Sequence, residues 1–343
     1  MLEEIRQQPA ALERTLAAAR GQIEQLRAQF ARNPPRLIVL AARGTSDNAA
    51  QFGRYLLEIL TGIPVALAAP SIFTLYGASL ALKDSLLIAI SQSGESTDTN
   101  LVLERAREQG ALTIGITNEP GSTLARIADQ AFLVQAEREQ SVAATKTYTG
   151  QLMMLYLMAY ALGGRLELDQ LARLPELAEC ALTLEPEIAG RAARYRFMDH
   201  AVVVGRGLNY ASAFEFALKL METCYVVAER FSSADFAHGP IAMVERSFPS
   251  FLFTPTGVTW PGMRDMLERL NQLQAETLII TDQSNREARE FHQRAMVVPC
   301  EIDELFTPIP YIVPAQILAA CLADEKGVNP DQPRTLSKVT RTL

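Results

Sequence analysis

The sequence predicts an α/β protein made of two copies of one unit, each a parallel sheet with helices on both faces. Three observations carry this. First, short apolar runs rich in Val, Ile and Leu alternate with longer segments of helical period, and strands apolar on every residue are those of parallel sheets buried on both sides. Second, the chain repeats itself. R-L-I-V-L-A-A-R-G from Arg36 is echoed by D-H-A-V-V-V-G-R-G from Asp199, an offset of 163. At that offset Phe73 meets Phe236, and Ser91-Gln92-Ser93-Gly94 meets Thr254-Pro255-Thr256-Gly257; at 164 T-I-G-I-T-N from Thr113 meets T-L-I-I-T-D from Thr277, and at 165 Gln151 meets Gln316. An order of elements kept over such a distance is a duplicated unit. Third, 343 residues are enough for two domains with their own cores.

The elements follow in order. Leu12, Leu16, Ala19, Ile23, Leu26 and Phe30 recur at steps of four and three, so residues 1–34 read as a helix that Asn33-Pro34-Pro35 ends. Pro9 is tolerable near its start. Its apolar face must pack on the body or on a partner subunit. The first domain, 35–165, has strands at Leu37–Ala41, Leu86–Ile90, Thr113–Thr117 and Phe132–Val134. Its helices begin near Asp47 and after the 91–99 loop, and a long one runs to about Leu162. Residues 166–197 form a helical, Glu/Arg-rich linker, 198–330 the second domain, and 331–343 a C-terminal tail.

Composition narrows the classes. Hydrophobic residues make up 48% and charged residues 21%, as in ordinary globular proteins. A net charge of −7 with no basic stripe argues against nucleic acid as a partner. The N-terminus lacks a signal-peptide core, and the longest apolar stretch, Leu152 to Leu162, is too short for a bilayer, so a cytoplasmic protein without membrane contact is expected. Cys180, Cys224, Cys300 and Cys321 are far apart with no C-x-x-C, so they are expected to be buried free thiols, with neither a disulfide framework nor a metal site.

The loop S-Q-S-G-E-S-T-D-T at 91–99 follows a strand and precedes a helix. In an open parallel sheet ligands sit beyond the carboxyl ends of strands, where a helix N-terminus points free N–H groups at them. Capping that helix would need one hydroxyl. Ser91, Ser93, Ser96 and Thr97 around Gly94 suit a phosphate held without a cation. Gly44-Thr45-Ser46-Asp47-Asn48 has the same character. The second copy reads G-L-N-Y and T-P-T-G-V in these places, so its task differs. It offers A-F-E-F-A-L-K-L-M-E-T-C-Y at 213–225, where Glu215, Lys219 and Glu222 share one helix face among apolar neighbours. That is either a salt-bridged stripe or a set of charges with shifted pKa values suited to acid–base work. Gly205-x-Gly207 has Tyr210 where a dinucleotide loop needs glycine, and no G-x-x-x-x-G-K-[ST], G-x-S-x-G or H-E-x-x-H occurs.

Taken together, G-T-S at 44–46, S-Q-S-G-E-S-x-D-T at 91–99, V-A-A-T-K-T-Y-T at 142–149, A-L-K-L-x-E at 217–222, H-G-P at 238–240 and D-Q-P-R-x-L-x-K at 331–338 resemble the tandem sugar isomerase (SIS) domain family. The likeness extends to the isomerase half of the glucosamine-6-phosphate synthases and to stand-alone deaminases of the isomerase type. It implies two flavodoxin-like three-layer domains. It also implies that Thr45, Ser46, Ser91, Gln92, Ser93 and Ser96 hold a sugar phosphate and that the backbone of Val142 lines the sugar site. Glu222 would be the base between C1 and C2, with Lys219 beside it. His238 would assist ring opening from the neighbouring subunit of a homodimer, and Lys338 in the tail would meet the open-chain ketose. No metal or organic cofactor is implied. Two departures shape the expectation. The synthases carry an N-terminal glutaminase domain, whereas this sequence starts at the isomerase unit. Where they read E-L-K before H-G-P, this sequence reads Asp235-Phe236-Ala237. The activity expected is therefore deamination and isomerisation of glucosamine 6-phosphate to fructose 6-phosphate and ammonia. The alternatives are a synthase isomerase half fed by ammonia or a partner glutaminase, a fructosamine-6-phosphate deglycase, and a non-catalytic sugar-phosphate sensor.

Overall fold

Ten strands appear in the computed structural model, which describes residues 1–291 and 295–335: β1 Ile38–Ala41, β2 Val65–Leu67, β3 Leu86–Ile90, β4 Leu112–Thr117, β5 Gln130–Leu133, β6 His200–Gly205, β7 Val227–Ser232, β8 Pro249–Phe253, β9 Glu276–Asp282 and β10 Ala295–Val298. They form two five-stranded sheets, ordered β2-β1-β3-β4-β5 and β7-β6-β8-β9-β10, with every pairing parallel. The two orders are the same, as a duplication requires, and each is the flavodoxin-like doubly wound order. β1 and β3 are buried at every residue, which is why they read as unbroken apolar runs; β8 is buried throughout as well.

The chain forms two compact units. The first holds Gln7–Glu139 and Ala144–Arg173; the second holds Met1–Arg6, Gln140–Ala143 and Leu174–Thr335. In the first unit Val39, Leu87, Val102, Leu103 and Leu124 form a core on one side of the sheet. The N-terminal helical stretch is in fact two helices, Leu2–Arg6 and Gln8–Arg32. Pro9 sits in the first turn of the longer one, where its missing N–H costs nothing. Leu12, Ala19, Ile23, Leu26 and Phe30 are buried, and this helix packs on Lys146–Ala161 of the same unit. The face therefore covers the body.

In the second unit Val202, Phe236, Leu252, Met263, Leu267 and Ile279 share a core. Helices Leu174–Leu182 and Glu185–Ala192, from the stretch read as a linker, pack on the long helix Pro308–Glu325. The expectation of four free thiols is corrected here. Cys180 and Cys300 are disulfide-bonded with Cα atoms 6.6 Å apart, inside the range a disulfide spans, while Cys224 and Cys321 are free and buried. The pair is 120 residues apart in sequence, and only the packing of the Leu174–Leu182 helix near the end of β10 brings it together.

Candidate active site

β1 and β3 are neighbours in the middle of the first sheet. After β1 the chain turns to β2 on one side, and after β3 it turns to β4 on the other. That is a topological switch point, the place where doubly wound sheets bind ligands. Thr45 and Ser46 open the helix Thr45–Thr61 that follows β1. Ser91 to Ser96 lies between β3 and the helix Thr97–Glu108, with Ser96 at its N-cap. Gly94 has φ 64°, and a Cβ there would fall 2.2 Å from Ser122 Oγ, so this turn requires glycine.

The hydroxyls differ in what they have to give. Ser46 Oγ accepts from Gln151 Nε2 at 2.9 Å, Ser91 Oγ from the Gly94 N–H at 3.1 Å, and Ser93 Oγ from the Glu95 N–H at 3.2 Å. Among the described residues, none of these three protons is taken. Each hydroxyl thus accepts inward and retains a donor, as an anion requires. Ser96 is different: it donates to Asp98 Oδ1 at 2.8 Å and contacts Thr99 Oγ1 at 3.0 Å. Its proton is spent within the loop. Thr45, Gln92 and Ser93 are half-buried. Gln92, Ser93, Glu95, Ser122, Arg138 and Glu139 line an open cleft of about 410 Å³.

Two supports escaped the sequence reading. Asp98, 1% exposed, pairs with Arg43 Nε at 2.5 Å. Burial works to raise the Asp98 pKa, but the bonds from Arg43, Ser96 and the Thr99 N–H outweigh it and hold the carboxyl below its ordinary value. The loop thus carries a cation after all, supplied from the end of β1. Buried Glu139 joins Gln92 to the start of the Lys146–Ala161 helix. It accepts from Gln92 Nε2 at 3.1 Å, from the Thr145 N–H at 2.7 Å and from the Lys146 N–H at 2.9 Å. A carboxylate at a helix start is favoured by the helix dipole.

In the second unit Glu215, Lys219 and Glu222 lie on the helix Tyr210–Cys224. Lys219 Nζ is 2.6 Å from Glu222 Oε2 and 3.3 Å from Glu215 Oε1. The Lys219 and Glu215 side chains are wholly buried, while that of Glu222 is 24% exposed. Burial alone would lower the Lys219 pKa; the two carboxylates outweigh it and hold the ammonium above its ordinary value. The trio is thus no solvated stripe. It is a buried cation anchored by Glu215, with Glu222 as the end that reaches the surface. Cys224, on the same helix, is pushed by burial up to about 11 and donates to the Ala319 carbonyl, so it is no nucleophile at neutral pH.

Val142 belongs to the second unit, and its N–H donates to the Asp331 carbonyl at 3.2 Å. His238 caps the short helix Ser233–Ala237 with an exposed side chain and hydrogen-bonds neither Glu222 nor Lys219. Lys338 lies outside the described residues. No cluster of His, Cys, Asp and Glu able to hold a metal ion occurs among the described residues, and no helix there is long and apolar enough to cross a membrane.

The second copy's loop after β8 holds an anion of its own. Glu304 Oε2 accepts from the Thr259 N–H at 3.4 Å, and Glu304 Oε1 accepts from Thr259 Oγ1, just before the helix Trp260–Gln272. Gly257, φ 119°, allows the approach, since a Cβ there would fall 2.2 Å from Glu304 Oε2.

Comparison with known proteins agrees with this architecture. The SIS domain model matches residues 33–161 and 196–320. The chain is 35% identical over 348 residues to a glutamine–fructose-6-phosphate aminotransferase (isomerizing) of Pyrococcus horikoshii. The match takes in 98% of this chain but only 57% of that protein, so the chain spans little more than half of the relative. Among solved structures, the C-terminal domain of glucosamine-fructose-6-phosphate aminotransferase from Francisella tularensis superposes with a TM-score of 0.87 at 28% identity, covering 97% of this chain and 98% of that one. A glucosamine-6-phosphate deaminase from Thermotoga maritima gives 0.79 at 22% identity over 99% of each chain, a likeness of fold alone. With the domain model matched twice, over most of the chain and in the same order as the two sheets, the protein is a member of the SIS domain family.

Proposed function

We propose that the chain interconverts fructose 6-phosphate plus ammonia and glucosamine 6-phosphate by moving one proton between C1 and C2. The observation that carries this is the Glu215–Lys219–Glu222 trio: a buried lysine held between two carboxylates, one of which reaches the surface. The hydroxyls of Ser46, Ser91 and Ser93 would take the phosphate, with Thr45, Gln92 and Ser96 shaping their loops. His238 would open the sugar ring, supplied by the second subunit of a homodimer, and Lys338 would meet the open-chain ketose.

In the deaminating direction Glu222 takes the C2 proton of the open-chain amino aldehyde and returns it to C1. The C2 amine gives up one N–H proton and becomes an imine, and the aldehyde oxygen takes up a proton in its place and becomes a hydroxyl. Water adds there and ammonia leaves, giving the ketose. Lys219 holds a positive charge near the negative charge that develops. General base catalysis contributes ~10²–10⁴-fold. The aminotransferase relatives favour the aminating direction, the isomerase half of a synthase, over the deaminase expected from the sequence. Asp235-Phe236-Ala237 before His238 is the feature that favours deamination.

The test follows exchange of the C2 hydrogen of glucosamine 6-phosphate with deuterated water by NMR, with ammonia assayed in both directions. Glu222→Gln should slow exchange at least ~10²-fold while sugar-phosphate binding changes little. Exchange at the wild-type rate would remove Glu222 as the base. Binding without any exchange in the wild type would make the chain a sensor.

A further inference from the structure

Gln151 lies near the start of the Lys146–Ala161 helix, which is buried along its whole length, and is itself 1% exposed. Its neighbours on the helix are Leu152, Met153, Met154 and Leu155, all fully buried. Gln151 Nε2 donates to Ser46 Oγ at 2.9 Å, and Gln151 Oε1 has no hydrogen-bond partner. A buried amide carbonyl without a donor is unfavourable. If the position served packing alone, leucine or methionine would fill it without that penalty. The amide therefore has a use, and its one observed bond names the use.

Ser46 has one proton and two lone pairs. Gln151 occupies a lone pair as a donor, so the Ser46 proton cannot point at Gln151. It is turned away, at the carboxyl end of β1, where the helix Thr45–Thr61 begins. We propose that Gln151 is a positioning residue for phosphate binding, fixing the Ser46 hydroxyl as a donor to the sugar phosphate. This rests on the reading that Ser46 binds phosphate. It adds that the direction of the Ser46 proton is set by the Lys146–Ala161 helix. A glutamate at the position would do the opposite, because a carboxylate accepts the Ser46 proton and leaves only lone pairs for an incoming anion.

The test is calorimetric titration of fructose 6-phosphate into the wild type, Ser46→Ala, Gln151→Leu, Gln151→Glu and the double variant Ser46→Ala/Gln151→Leu, with steady-state kinetics on each. Thermal melting identifies any variant that does not fold; Gln151→Met replaces Gln151→Leu if needed. Ser46→Ala should weaken binding roughly tenfold, as for a lost bond to a charged group, and Gln151→Leu roughly threefold to tenfold. Gln151→Glu should weaken it at least as much as Ser46→Ala. In the Ser46→Ala background Gln151→Leu should add nothing, and on its own it should raise KM while kcat stays close to wild type. Wild-type affinity in Gln151→Leu beside a weakened Ser46→Ala would overturn the inference. So would a loss of equal size in both backgrounds, because Gln151 would then act through something other than Ser46. Wild-type affinity in Ser46→Ala would instead overturn the phosphate reading on which the inference stands.

Discussion

A serine hydroxyl serves an anion only if its proton is not already spent. By that measure Ser91 and Ser93 differ from Ser96, although the sequence presents all three alike in one loop. Ser93 accepts from the Glu95 N–H and keeps its proton, whereas Ser96 donates to Asp98. Ser93→Ala should therefore weaken fructose 6-phosphate binding by about 1–3 kcal/mol. Ser96→Ala should cost less affinity and act mainly on the loop. Calorimetry on the two variants checks this, and equal affinity of Ser93→Ala and wild type would refute it. The Arg43–Asp98 pair makes a pH prediction. A carboxyl held below its unfolded value adds stability that is complete above that value, about 4, and is lost as pH falls through the lower folded one. Arg43→Met should flatten the acid side of the melting-temperature profile below about pH 4, where wild type falls steeply. Arg43 was hidden in the sequence because nothing in R-G-T-S says that its partner lies in the first turn of another helix, 55 residues away. The loop reads as lacking a cation because the cation arrives through space.

At the scale of elements, apolar runs and helical periods carried most of the secondary structure. β1, β3 and β4 fall where the runs are. The face of Gln8–Arg32 is buried nearly as its spacing implies, with Leu16 half-buried. The edge strands β2, β7 and β10 escaped: β2 and β10 are three and four residues long, and exposed positions break the apolar run of β7. The last helix runs Pro308–Glu325 through prolines at 308, 310 and 314, which in the sequence read as breakers. Helix Pro308–Glu325 also carries Tyr311, whose buried hydroxyl donates to the buried Asp282 at the end of β9 at 2.5 Å. Burial first, and then the Asp282 charge, push the Tyr311 pKa well above its ordinary value, so the hydroxyl stays protonated and donating. Tyr311→Phe leaves that Asp282 oxygen without its donor and should lower unfolding stability by about 1–3 kcal/mol, measured by urea denaturation. An unchanged midpoint would show that another donor takes over.

At the scale of the whole molecule, the disulfide and the subunit arrangement each have a measurable consequence. Denatured but unreduced protein should titrate two thiols, Cys224 and Cys321, out of four cysteines. Reduction should lower the melting temperature, because a cross-link closing a long loop restricts the unfolded chain. Four reactive thiols would contradict the bond. If His238 serves the neighbouring subunit of a homodimer, mixing inactive Glu222→Gln with inactive His238→Asn should restore activity through mixed dimers that retain one intact site. No recovery, or an active monomer by light scattering, would count against that arrangement. The duplication, the parallel sheets, the hydroxyl-rich loop and the charged face of 215–222 were all legible in the chain. Each rests on local periodicity or on a short motif that one segment carries by itself. Tertiary structure alone decided which serine protons are available, that Arg43 and Glu139 brace the 91–99 loop, that Glu304 fills the second copy's loop, and that Cys180 meets Cys300. Those are pairings between residues far apart in sequence. A hydrogen bond or a disulfide depends on distances of a few ångströms that no local pattern encodes.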